Sequence, residues 1–144
     1  MVTATRLIVA YLFVLVAAAA RADEAELKRI QGTFEKTITN QAGVQFRVIK
    51  DVAGDQSTVT TFDDVGNIVE AHSSTIKVEK RGSVHVLSYF NILVTAGAQK
   101  GHTDPSTRSY IYRYDGQTFA EAWGLLEGDE SPPRMFYWKK MKTE

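Results

Sequence analysis

Hydrophobic and polar residues alternate along most of the chain, from Gly32 onward. Alternation with a period of two is typical of β-strands that bury one face, and clusters of Gly, Asn and Asp interrupt it at regular intervals. The pattern predicts eight strands, at residues 33–39, 44–52, 57–62, 68–80, 83–96, 108–114, 117–126 and 134–141. Residues 97–107 form the longest predicted loop, with two Gly and one Pro.

Only residues 23–30 have a helical pattern. Helix-forming residues dominate this stretch, and its acidic side chains precede its basic ones, as the helix dipole favours. Leu27 and Ile30 form one narrow apolar stripe. We therefore predict a short helix that leans on the strands that follow it.

These elements predict an all-β protein, an antiparallel up-and-down barrel of about eight strands with a short N-terminal helix. Short connections favour antiparallel pairing of sequential strands, and closure into a barrel removes exposed strand edges. An eight-stranded barrel is either filled by side chains or holds one small ligand. The alternative is a two-sheet sandwich, which needs long crossover connections, and only residues 97–107 are long enough to be one.

The first 22 residues resemble a secretory signal peptide. Arg6 supplies a positive charge, residues 7–20 are continuously apolar, and Ala20-Arg21-Ala22 fits a small-x-small cleavage site. We predict cleavage after Ala22, a single barrel domain over residues 23–144, and export to the periplasm or the medium. The alternative is that the segment remains as an uncleaved anchor.

Composition and charge exclude several classes of protein. The 144 residues are 44% hydrophobic and 24% charged, which is typical of a soluble globular protein. Without Arg6 and Arg21, 15 basic side chains stand against 17 acidic ones, a net charge of −2. The chain has no basic stripe, so we predict no nucleic-acid partner. Cys is absent, so disulfides are impossible.

The two ends of the predicted barrel carry motif-like residues. The helix leads into Gln31-Gly32-Thr33-Phe34, and the last strand ends in Trp138-Lys139-Lys140. This arrangement resembles the lipocalin-like (calycin-type) small β-barrels of exported bacterial proteins, a family largely of unknown function. The resemblance implies that Phe34 packs across the barrel base, beneath a basic side chain supplied by Lys139, Lys140 or Arg134. It also implies a ligand inside the barrel.

The first candidate binding site lies on the hairpin around Asp115-Gly116. A two-residue turn there would set Tyr112 opposite Phe119, Tyr110 opposite Glu121 and Arg108 opposite Trp123. The aromatic face should point inward, because aromatic rings bury the most apolar area. Arg and Tyr donors beside apolar walls suit a ligand carboxylate. The candidate ligand-binding residues here are Arg108, Tyr110, Tyr112, Phe119, Glu121 and Trp123. In the alternative, which we favour, Arg108 pairs with Glu121 and the rings fill the core.

The second candidate site lies on the hairpin around Arg81-Gly82. A two-residue turn there would set Ser74 opposite Tyr89 and His72 opposite Asn91. If this face points inward, His72 and Tyr89 belong to a hydrogen-bonding patch in the ligand site. The opposite face carries Phe90, Ile92 and Val94. A bulge near Ser88 would exchange the faces, and we therefore expect His72 to lie outside.

The sequence predicts neither a metal nor a cofactor, since the three His are far apart and neither a phosphate loop nor a nucleophile motif occurs. We predict a non-enzymatic, exported protein, taken as a monomer by default because the sequence does not specify the oligomeric state, that binds a small, largely apolar ligand, with or without a carboxylate. One alternative is a filled barrel that acts through its surface as an interaction or envelope-associated module. Another is a hydrolase or isomerase that uses His72. An empty interior of about 300 Å³ or more would favour ligand binding.

Overall fold

The structure, a computed structural model, describes residues 23–142. The predicted signal peptide, residues 1–22, lies outside the described residues. The described chain forms one short helix and nine strands: α1 (Glu24–Arg29), β1 (Gly32–Thr39), β2 (Gln45–Ala53), β3 (Gln56–Phe62), β4 (Ile68–Arg81), β5 (Val84–Ala96), β6 (Thr103–Asp104), β7 (Arg108–Tyr114), β8 (Thr118–Trp123) and β9 (Arg134–Lys140).

Eight of the nine strands close into an antiparallel barrel, which confirms the predicted fold class. Each barrel strand pairs with the next along the chain, and β9 returns to β1. The ninth strand, β6, lies in the predicted 97–107 loop and adds two residues to the side of β5. The predicted strands match the observed ones closely, apart from β8, which ends at Trp123 rather than at residue 126.

Both predicted hairpin registers are wrong by two residues. Tyr112 pairs with Glu121, because the Asp115 Oδ1 accepts hydrogen bonds from the backbone N–H groups of Gln117 and Thr118 and holds a longer turn. In the other hairpin the turn residues are Gly82 and Ser83, with Gly82 at a φ of 60°. Since side chains alternate with a period of two, a shift of two residues leaves each side chain on its predicted face, except beyond the bulge in β5 described next.

A β-bulge in β5 changes which side chains point inward in the part of that strand that follows Tyr89. The β4–β5 register shifts between Ser73 and Thr75, and Asn91 adopts a φ of 52°. The extra residue lets Ile92 follow Tyr89 into the barrel interior. The strand β4 keeps its alternation there, so His72 points into the barrel. The expectation that His72 lies outside is therefore wrong: the bulge lies at Asn91 rather than near Ser88, and it moves the side chains of β5 while those of β4 keep their faces.

The helix and the adjoining strand ends close one end of the barrel. Asp23 caps α1, since its Oδ1 accepts a hydrogen bond of 3.0 Å from the backbone N–H of Glu26. Ile30 and Phe34 are fully buried below it, and Phe119 packs 5.5 Å from the Phe34 ring. Of the three basic side chains considered for this position, Lys140 is the one near Phe34, with its Nζ 5.9 Å from the centre of the ring.

Candidate functional site

A cavity of about 270 Å³ occupies the half of the barrel that faces away from the helix. All eight barrel strands contribute side chains to its lining. The volume lies just under the roughly 300 Å³ at which ligand pockets usually begin. The interior is thus neither completely filled nor large, and its volume falls short of the one named above as favouring ligand binding.

The floor of the cavity is a buried polar cluster around Glu121. Its carboxylate accepts hydrogen bonds from the Lys50 Nζ at 2.7 Å and from the Trp138 Nε1 at 2.7 Å. It also accepts one from the Tyr89 hydroxyl, which itself accepts a hydrogen bond of 2.8 Å from the Lys50 Nζ. Glu121 and Lys50 are 3% and 2% exposed, so the ion pair is shielded from water. The four side chains hold one another in place.

Burial shifts the pKa values of Lys50 and Tyr89 in this cluster. It lowers the pKa of Lys50, and the neighbouring Glu121 carboxylate opposes part of that change. Burial also raises the pKa of Tyr89 well above its ordinary value, with Glu121 acting in the same direction. Tyr89 therefore remains a neutral hydrogen-bond donor to Glu121.

Above this floor, Lys36 projects from β1 into the cavity. Its Nζ lies 4.1 Å from the centre of the Trp138 ring and 4.4 Å from that of Phe136. Among residues 23–142, Lys36 forms no ion pair with a carboxylate. Burial, and next the charge of Lys50, lower the pKa of Lys36 to about 8. A half-buried ammonium without a partner carboxylate is an anchor for an anion.

The cavity opens to solvent between the upper ends of the strands, where Glu70, His72 and Arg108 line it. Burial lowers the pKa of His72, so this side chain is neutral at pH 7. Arg108 forms an ion pair of 2.7 Å with Asp104. The predicted pairing of Arg108 with Glu121 is therefore wrong. Both residues have partners outside the predicted hairpin: Arg108 pairs with Asp104 of β6, and Glu121 pairs with Lys50 of β2.

The seam between β1 and β9 has a groove on its outer side. The ladder across this seam has only two residue pairs, Phe34 with Lys140 and Glu35 with Lys139. Beyond them the two strands diverge, and an open groove runs along the outside of the seam. Lys36 and Trp138 line both this groove and the cavity.

The structure places five of the eight predicted site residues in the cavity lining. These are His72, Tyr89, Arg108, Tyr110 and Glu121. Tyr112 and Phe119 lie at the closed end instead, stacked on each other with ring centres 5.0 Å apart. Trp123 packs on Tyr110 at 5.1 Å, outside the cavity lining. These three predicted ligand contacts therefore do not line the cavity.

Lys36 and Lys50 were not predicted from the sequence, although the alternation pattern contains a signal for both. Lys36 lies two residues after the inward-facing Phe34, and Lys50 lies between Val48 and Val52, which are both buried. A lysine at an inward position of a strand is unusual, because an unpaired buried charge is unfavourable. Such a position indicates either an ion pair across the barrel or a binding site.

Comparisons with protein-family models, with curated proteins and with solved structures gave no match to this chain. Over residues 23–142, no helix is both long enough and apolar enough to cross a membrane. No group of three or more metal-binding side chains occurs in the same part of the chain.

Proposed function

We propose that this protein is an exported, lipocalin-like binding protein that holds a small, largely apolar anion inside the barrel. The observation that carries the proposal is the Lys36 ammonium, which faces a cavity of about 270 Å³ and has no partner carboxylate among residues 23–142. The rings of Phe136 and Trp138 lie beside it and offer an apolar contact for the body of the ligand. A carboxylate would take the position of the missing partner.

Two further features support this reading. The side chains of the Glu121 cluster already have hydrogen-bond partners within the cluster, so the cluster forms a fixed floor of the cavity. Lys36 is then the group that is left to pair with the charge of a ligand. The mouth of the cavity is polar, with His72 and Arg108, whereas Val48, Val59 and Ile92 provide apolar lining farther in. A short aliphatic acid has both a polar group and an apolar chain to match these two parts of the lining.

The test compares two probes of equal chain length, octanoate and 1-octanol. Trp138 lines the cavity, so its fluorescence reports binding, and the Trp123→Phe variant leaves Trp138 as the single tryptophan. We expect the protein to bind octanoate about 10- to 100-fold more tightly than octanol, because a charge-assisted hydrogen bond contributes about 1.5–3 kcal/mol.

The Lys36→Met variant keeps the length and the apolar stem of the side chain. It should bind the two probes equally, whereas Lys28→Met, on the exposed face of α1, should behave like the wild type. Octanoate that leaves the Trp138 emission unchanged at millimolar concentration, with the protein folded by circular dichroism, would overturn the proposal.

Export has a test of its own. The proposal expects the protein to be recovered outside the cytoplasm with Asp23 as its first residue, determined by N-terminal sequencing. A protein that retains residues 1–22 would contradict cleavage while leaving the ligand proposal to the fluorescence experiment.

A further inference from the structure

The surroundings of Lys36 suit a lysine that reacts as a nucleophile, in addition to one that binds an anion. Its Nζ shares the Trp138 ring with the Nζ of Lys50, since both nitrogens lie 4.1 Å from the centre of that ring. Glu121 is bound to Lys50 rather than to Lys36. The barrel thus keeps two ammonium groups near one aromatic side chain and supplies an ion-pair partner for only one of them.

This arrangement favours the neutral amine of Lys36. An amine that is desolvated beside another cation loses its proton more easily, and a neutral lysine amine is a nucleophile for carbonyl carbon. The lowered pKa, about 8, agrees with the geometry. The other ionisable groups in the cavity lining are Lys50, Glu70, His72, Arg108, Glu121 and two tyrosines, Tyr89 and Tyr110.

We propose that Lys36 captures small apolar aldehydes or ketones in the cavity as an imine. The Nζ forms a bond to the carbonyl carbon, the carbonyl oxygen leaves as water, and the water carries away the two hydrogens of the amine. No oxidant or reductant takes part, so the step is a reversible condensation. The proposal rests on the cavity and on Lys36, and it does not require the anionic ligand of the proposed function.

The experiment traps the imine in the full-length chain. Octanal is added near neutral pH with cyanoborohydride, which reduces the imine to a stable secondary amine, and peptide mass mapping then locates the adduct. We expect Lys36 to be modified about tenfold faster than the exposed Lys28, because far more of its amine is neutral at this pH. The chain's α-amine also reacts with aldehydes, and the map separates its peptide from that of Lys36.

Two controls sharpen the result. Lys36→Arg keeps a cation in place and Lys36→Met keeps the side-chain length, and both should lose the adduct in that peptide without affecting labelling of Lys28. If octanoate binds in the cavity as proposed above, saturating octanoate should protect Lys36 and leave Lys28 unprotected. Trapping at Lys36 that is no faster than at Lys28 would overturn the inference.

The outcome separates this inference from the proposed function. Octanoate binding without preferential trapping would sustain the binding protein and remove the imine. Preferential trapping without octanoate binding would sustain the imine and remove the anion-binding proposal.

Discussion

The two halves of the barrel interior are built from the same alternating strands but have opposite character. At the closed end the inward side chains are apolar and almost completely buried, with Ile30 and Phe34 at 0% exposure. In the open half the same strands direct Lys36, Ser74 and His72 inward, around a cavity of about 270 Å³. The comparison indicates that the closed end supplies the stability that the open half gives up to keep charged groups and empty space.

The largest expected effect comes from the closed end. Phe34→Ala should lower the free energy of unfolding by about 4 kcal/mol, because it removes a fully buried ring and leaves a void between Tyr114 and Phe119. Phe136→Ala, its counterpart beside the cavity, should cost about 1 kcal/mol, because that ring is only partly buried. Urea denaturation of both variants measures the difference. Equal losses would mean that the two halves contribute equally.

Breaking the ion pair at the boundary between the halves should have the next largest effect. Glu121→Gln leaves the Lys50 ammonium buried without a counter-charge and should destabilise the protein by about 3 kcal/mol. The double variant Lys50→Met/Glu121→Leu removes both charges and should recover most of that loss. If the double variant is as unstable as the single one, the hydrogen bonds of the cluster matter more than its charges.

The smallest effect concerns the unpaired lysine of the open half. The pKa of Lys36 is lowered from 10.5 to about 8 in the folded protein, so between these pH values the unfolded chain binds more protons. The contribution of Lys36 to the free energy of folding is therefore most unfavourable below pH 8, and it becomes less unfavourable as the pH rises towards 10.5. Lys36→Met should be more stable than the wild type at pH 7, with a gap that narrows by pH 10.

Urea midpoints at the two pH values measure that gap, and Lys28→Met serves as the control for loss of a lysine. A gap that stays constant would show that the environment of Lys36 does not affect its titration.

Sequence reasoning located the strands and their faces well and located their cross-strand partners poorly. The aromatic face of β7 and β8 points inward as predicted, although its register is shifted by two residues. Three predicted ligand contacts, Tyr112, Phe119 and Trp123, fall outside the cavity lining, because a residue's face does not specify its depth in the barrel. Depth depends on the stagger between strands, which the turns and the bulge at Asn91 set.

The sequence by itself determined that this chain forms an antiparallel barrel with a helix at one end, because alternation, turn residues and helix caps are local properties of neighbouring residues. Only the tertiary structure decided that Lys50 neutralises Glu121, 71 residues away, and that Lys36 has no carboxylate partner in the described part of the chain. Those pairings form across the barrel, between side chains whose separation depends on closure and stagger of the whole sheet. The binding site is for that reason a property of the closed cylinder rather than of any single strand.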